Sequence, residues 1–322
     1  MLATFFTRAI RYHYPRLMNK FNELTTLAHY INGDYECTLY ADGTLVRTTS
    51  VVGARLAYPC SIDIKITNYC DMGCKYCHES STRNGKHADL TRLLDVLSDI
   101  PAGVELANGG GNPLSHPDIV DYLVELKARG LIANITVNQG HLHRYATLIE
   151  DIVSQELVRG LGISITSSNY SSLIPVLRLS DNIVYHIITG IHPVSIIDEL
   201  VSLSAATSKV LVLGYKNFGF GIDYHSPEVD AGIAQWRRSL PSLIGKCNLS
   251  FDNLAIEQLE LRRLFTDEGW ARFYMGDDFQ FTMYIDAVKQ QYAPTSRSYN
   301  RTSFDSTSLI DYFQAGFSCT SS

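Results

Sequence analysis

From Ser61 onward the chain alternates short apolar runs with amphipathic stretches whose apolar residues recur at i, i+3 and i+4, the pattern of successive strand and helix units. The runs predict strands at 61–67, 103–108, 132–138, 160–166, 182–189, 208–214 and 247–252, and helices over 88–99, 116–129, 145–158 and 194–205. Strands of near-continuous apolar content belong to a parallel sheet covered on both faces, so the fold expected is α/β, a partial (β/α)6-type barrel. Upstream, residues 33–50 alternate polar and apolar about Ala41-Asp42-Gly43, which predicts an N-terminal β-hairpin. Beyond Asn253 the rhythm gives way to a helix, an aromatic-rich hairpin over 272–293 and the polar stretch APTSRSYNRTSF, a C-terminal α+β extension. The expected division is 1–60 as lead-in helix and hairpin, 61–252 as barrel, and 253–322 as an extension that folds over substrate as a lid.

Composition narrows the function classes. A formal net charge of −6 disfavours a protein that coats duplex nucleic acid, since such affinity rests on Lys and Arg. The 7 cysteines are an odd number, and three of them crowd into eight residues, which argues for a reducing compartment and a metal site over a secreted disulfide framework. No apolar run reaches spanning length, and the opening MLATFFTRAIRYHYPRLMNK reads as an amphipathic lead-in helix, with an organellar transit peptide as the alternative. The location expected is cytoplasmic.

The strongest chemical signal is Cys70-Asp71-Met72-Gly73-Cys74-Lys75-Tyr76-Cys77-His78. Three thiolates in one loop can each bind one iron of a cubane and leave a fourth iron open to a small molecule. Two other readings use the same residues: a Cys3His zinc site that adds His78 and makes the barrel a binding module, and a C-x-x-C-H haem attachment that leaves Cys70 unexplained. Cys37, Cys60, Cys247 and Cys319 stand outside the motif.

A CxxxCxxC loop directly after the first strand of a β/α series, with aromatic Tyr76 before the last Cys, resembles the radical S-adenosylmethionine (SAM) superfamily over about residues 61–252. The resemblance implies a radical SAM barrel holding one [4Fe–4S] cluster on Cys70, Cys74 and Cys77. It also implies reductive SAM cleavage to a 5′-deoxyadenosyl radical, a flavodoxin- or ferredoxin-type electron donor, and an unidentified small-molecule, nucleotide or peptide substrate. Asn108-Gly109-Gly110-Gly111-Asn112-Pro113 is similar to the family's Gly-Gly-Glu-Pro stretch, which holds the SAM amino group, with Asn112 where Glu is usual. An amide oxygen still accepts from an ammonium but without charge assistance, which keeps a non-catalytic relative open as a reading. By location, Asn138, Ser164 and Thr166 match carboxylate or ribose contacts, and Gly190 and Tyr215 match adenine contacts. Asp252 and Asn253 follow the last strand as candidate substrate contacts, with helix capping as their other reading. Arg297, Tyr299, Arg301 and Tyr292 are candidates for phosphate or base contacts, with a solvated loop as the alternative.

Overall fold

The computed structural model describes residues 25–204 and 208–319, so the lead-in helix and transit-peptide readings lie outside the described residues. Strands β1 (Thr26–Asn32), β2 (Tyr35–Tyr40) and β3 (Leu45–Thr48) form an antiparallel sheet in the order β1-β2-β3, one strand more than the predicted hairpin. The predicted turn joins β2 to β3, where Asp42 Oδ1 accepts from the Thr44 amide at 3.0 Å.

The main sheet runs β4 (Ser61–Thr67), β5 (Glu105–Gly110), β6 (Ile132–Asn138), β7 (Gly160–Ser164), β8 (Ile183–Ile188), β9 (Lys209–Leu213) and β10 (Asn248–Phe251) in parallel register. Each matches a predicted run to within about two residues. Beyond β4 the sheet continues with β11 (Thr282–Asp286), parallel to β4, then antiparallel β12 (Gln291–Ala293) and β13 (Thr302–Ser303). The predicted hairpin over 272–293 therefore exists, but its first strand is an eighth parallel strand beside β4. Among the described residues β10 and β11 do not pair, so the barrel is partial; Asn253 spans the gap, donating to Gly276 O at 3.2 Å and Asp278 Oδ1 at 2.8 Å.

The strands alternate more cleanly than an all-apolar core requires. Ile62, Ile64 and Ile66 of β4, Ile135 and Val137 of β6, Leu161 and Ile163 of β7, and Val210 and Val212 of β9 are buried in the apolar core. Their neighbours Ser61, Asp63, Lys65, Asn134, Thr136, Gly160, Gly162, Ser164 and His186 line an internal cavity of about 280 Å³. The expectation of strands apolar on both faces is corrected here: the interior is a lumen into which polar side chains and glycines project among apolar ones such as Val184, Leu211 and Leu213. Outside it, the helix Pro227–Leu243 buries Trp236, whose Nε1 donates to His192 O at 2.7 Å. Among the described residues no helix is long and apolar enough to cross a membrane.

The last segment is woven into this body. Leu309 and Phe313 of the helix Leu309–Cys319 are buried, and Tyr292 stacks between Phe304 and Tyr312 at 4.8 and 5.3 Å. Side chains of this segment belong to the core, so any lid action of the 253–322 extension rests with its exposed residues, such as Tyr299.

Candidate cluster and cofactor site

The cysteine loop leaves β4 at the C-terminal rim of the sheet. Its backbone is pinned on several sides: Cys70 N donates to Thr82 O at 2.9 Å, Cys77 N to Cys74 O at 3.2 Å, and Phe220 N to Cys77 O at 3.0 Å. Asp71 anchors it further, with Oδ1 at 2.8 Å from His141 Nε2 and Oδ2 at 2.6 Å from Arg144 Nη2. Burial opposes ionisation of Asp71, but these two partners prevail and hold its pKa at about 2. Burial also raises the thiol pKa values of Cys70 and Cys74, and each is raised further by Coulombic repulsion from Cys77. Three thiols within one another's field, with burial outweighing the charge of nearby Arg144, are a donor set that suits iron, whose binding drives off the protons. Among the described residues no three His, Cys, Asp or Glu side chains form a ready single-ion site. His78 in particular turns elsewhere: its Nε2 lies 3.3 Å from Glu79 Oε1 and 3.2 Å from Lys216 Nζ. It is committed to that contact and not to the Cys3His set.

The glycine stretch packs directly on the cysteine loop. Gly111 N donates to Thr67 O at 2.8 Å and Asn112 N to Tyr69 O at 2.7 Å. A Cβ on Gly111 would stand 2.1 Å from Tyr69 O, and one on Gly110, at φ +107°, 2.4 Å from Thr67 O. The glycines are thus required by the close approach of the two loops, whereas Gly109 opens onto the lumen. Gly111→Ala is expected to break the Asn112 to Tyr69 bond and lower the iron retained per chain, measured on protein reconstituted without oxygen. Retention equal to wild type would show that the stitching is dispensable. Pro113 starts a buried single turn, Pro113–Ser115. Asn112 is fully buried; its Nδ2 reaches Tyr145 OH at 3.3 Å, and its Oδ1 has no partner. An enclosed acceptor without a donor fits the ammonium of an amino-acid moiety such as SAM's.

The other rim residues divide. Asn138 is central: Oδ1 accepts from Gly140 N at 2.9 Å and Thr166 Oγ1 at 3.0 Å, and Nδ2 points at Cys74 Sγ at 3.9 Å. Ser164 faces the lumen. Tyr76 stands edge-on to Tyr224 at 5.7 Å. Tyr215 is buried with its hydroxyl on Gly221 O, and its backbone N and O are both held by the Gln258 amide at 2.8 Å. Gly190 is explained by packing, since a Cβ there would meet Val229 O at 2.8 Å. Asp252 caps the helix Asn253–Gln258, accepting from Ala255 N at 2.7 Å and Gly214 N at 2.8 Å, so its Oδ1 is spent on architecture. Arg297 pairs with Asp278 at 3.1 Å, and exposed Tyr299 rests on Phe218 at 4.9 Å; Tyr292 is a core residue.

A network unforeseen from the sequence lies between the cysteine loop and β11. Lys65 Nζ, 5% exposed, sits 2.9 Å from Glu79 Oε2 and 3.6 Å from Asp286 Oδ2, while Tyr284 OH donates to Glu79 Oε1 at 3.0 Å and Arg301 approaches Asp286 at 3.4 Å. Burial would raise the Glu79 pKa, yet His78 and Lys65 overcome it and hold the carboxyl well below the usual range. Lys65→Met should cost about 3–5 kcal/mol, because it breaks the buried pair with Glu79 and leaves Asp286 to Arg301 alone. Urea unfolding checks it, and a loss under 1 kcal/mol would contradict it.

Fold and site together give a partial parallel β/α barrel with a three-cysteine loop at the end of one strand and a glycine stretch at the end of the next. The sequence agrees: residues 64–200 match the model of the Radical SAM superfamily. A probable GTP 3′,8-cyclase of Methanothermobacter thermautotrophicus is 29% identical over 96 residues, covering 28% of this chain and 31% of that protein. Streptococcus suis SuiB bound to its precursor peptide SuiA superposes with a TM-score of 0.56 at 14% identity, over 80% of this chain and 65% of SuiB. SuiB bound to S-adenosylmethionine gives 0.53 at 15% identity, over 80% and 64%. The chain spans less than a third of the length of the cyclase and about two thirds of SuiB, and at such identities the SuiB likeness concerns the fold alone.

Proposed function

We propose that the chain is a radical SAM enzyme holding a [4Fe–4S] cluster on Cys70, Cys74 and Cys77, with SAM over the glycine stretch and substrate in the lumen. When bound, such a cluster supplies the electron that cleaves SAM to methionine and a 5′-deoxyadenosyl radical able to take a hydrogen atom from substrate. The observation that carries the reading is the stitching of Gly111 and Asn112 onto Thr67 and Tyr69, which sets the unpaired Asn112 Oδ1 beside the cysteine loop. The remaining work belongs to the chain's own residues. Asp71 with His141 and Arg144 fixes the loop, and Asn138 directs an N–H at Cys74 Sγ. Lys65, Glu79 and Tyr284 brace β4 against β11 beneath it. A low-potential flavodoxin- or ferredoxin-type protein supplies the electron. The substrate class stays at small molecule, nucleotide or peptide; SuiB's bound precursor peptide favours testing peptides first.

Anaerobic protein, reduced with dithionite and given SAM, is expected to release 5′-deoxyadenosine and methionine. SAM binding without any release would favour the non-catalytic relative, an outcome to which Asn112 in place of Glu points. Asn112→Glu should hold or tighten SAM affinity, because it restores an ionic partner for the ammonium. Severe loss of SAM binding in that variant would assign Asn112 a different task.

A further inference from the structure

The closed end of the lumen carries a polar cluster that the rim chemistry does not use. Glu105 opens β5, Asn134 lies in β6, and Arg159 directly precedes β7. Arg159 Nη2 is 3.1 Å from Glu105 Oε1, and Asn134 Nδ2 donates to the same oxygen at 3.3 Å. Glu105 is 1% exposed. Each of the three side chains nevertheless keeps one enclosed polar atom without a partner: Glu105 Oε2, Asn134 Oδ1 and Arg159 Nε. Six side-chain atoms among the described residues are in that condition, and half of them meet here. Unpaired buried polar atoms are costly, and three together call for an occupant.

The surroundings say from which side it comes. Asn134 and Arg159 line the lumen. Beneath them the β2–β3 turn shuts the barrel, with Asn182 Nδ2 on Ala41 O at 3.1 Å and Lys209 Nζ on Asp42 O at 3.2 Å. An occupant therefore arrives from the rim. At Gly160 a Cβ would stand 2.7 Å from Asn134 Oδ1, so any side chain there would crowd that oxygen. Four residue-to-residue steps of extended strand carry the chain from Glu105 to Gly109, about 13 Å, which is the reach from this floor to the rim.

We propose that this floor is a subsite for a terminal carboxamide on the substrate, an assignment that rests on the radical SAM reading of the rim above it. A carboxamide offers two N–H donors and one carbonyl, the complement of two unpaired acceptors, Glu105 Oε2 and Asn134 Oδ1, and one unpaired donor, Arg159 Nε. An ammonium has nothing to accept from Arg159. A carboxylate would set its charge against Glu105 and bring no donor. A water molecule presents the same count from a single point, and the experiment separates it. The carboxamide anchors one end of an elongated substrate and leaves the other at the rim, where hydrogen abstraction is proposed.

The test uses propionamide, propionate and propylammonium as probes, titrated into anaerobically prepared full-length protein without SAM and followed by saturation-transfer NMR. Propionamide is expected to bind at least about tenfold more tightly than the other two, and Glu105→Gln, which turns the unpaired acceptor into a donor, to weaken it by about tenfold or more. Gly160→Ala keeps every charge and should weaken propionamide as well; thermal melts establish that both variants are folded. Equal binding of the three probes, no propionamide binding, or a soaked crystal with only ordered water on the three atoms overturns the proposal. Amide binding without SAM cleavage would instead count against the enzyme reading and leave the subsite standing.

Discussion

Replacing Cys70, Cys74 and Cys77 together by Ala is expected to reduce anaerobically purified protein from about four iron and four sulfide per chain to none. The loop offers no substitute: His78 is taken up by Glu79 and Lys216, and Asp71 by His141 and Arg144. The fold should survive, because the three cysteines are only half-buried and the loop keeps its backbone bonds to Thr82 and Phe220. Replacing Cys37, Cys60 and Cys247 by Ser should leave iron untouched, since these thiols are buried in the apolar core. Iron and sulfide assays with the visible absorption of the cluster make the measurement. A full cluster in the triple variant would sink the assignment, and stoichiometric zinc in the wild type would revive the Cys3His alternative.

What the sequence disclosed depended on the kind of signal. Strand positions were legible because outward residues such as Ile62, Ile64 and Ile66 have to meet helices. The cysteine and glycine loops were legible because their spacing is dictated by local geometry. The eighth strand was not, for Thr282–Asp286 pairs with a strand more than 200 residues earlier, and its alternation reads equally as half of a hairpin. The lumen had left a trace in SIDIKIT, where Ser61, Asp63 and Lys65 occupy every second position of an apolar strand. That period of two marks a polar face inside the barrel. Reading it would have pointed to Lys65, though not to its partners Glu79 and Asp286, which reach it only through tertiary folding. Asp252 illustrates the converse: its place after the last strand suggested substrate contact, while the helix behind it needed a cap.

Truncation after Ala293 is expected to unfold the protein and not merely to uncover its active site. The deleted segment contributes Phe304, Leu309 and Phe313, all nearly or fully buried. At about 1.5–3 kcal/mol for each large apolar side chain the loss is roughly 5–9 kcal/mol, comparable to the whole stability of a typical domain. It also strips Arg301 from Asp286, removes Ser296 from Lys216 and bares the ring of Tyr292. Far-UV circular dichroism and urea unfolding should find no cooperative transition, and no cluster should assemble. A separable lid would behave differently, leaving a folded, iron-loaded protein that cleaves SAM but does not modify substrate. Tyr299→Ala supplies the control, because this ring is 81% exposed and its loss should shift stability by no more than about 0.5 kcal/mol. If that variant slows substrate turnover at unchanged stability, the tail acts on substrate through its exposed turn, on a base that is itself part of the core.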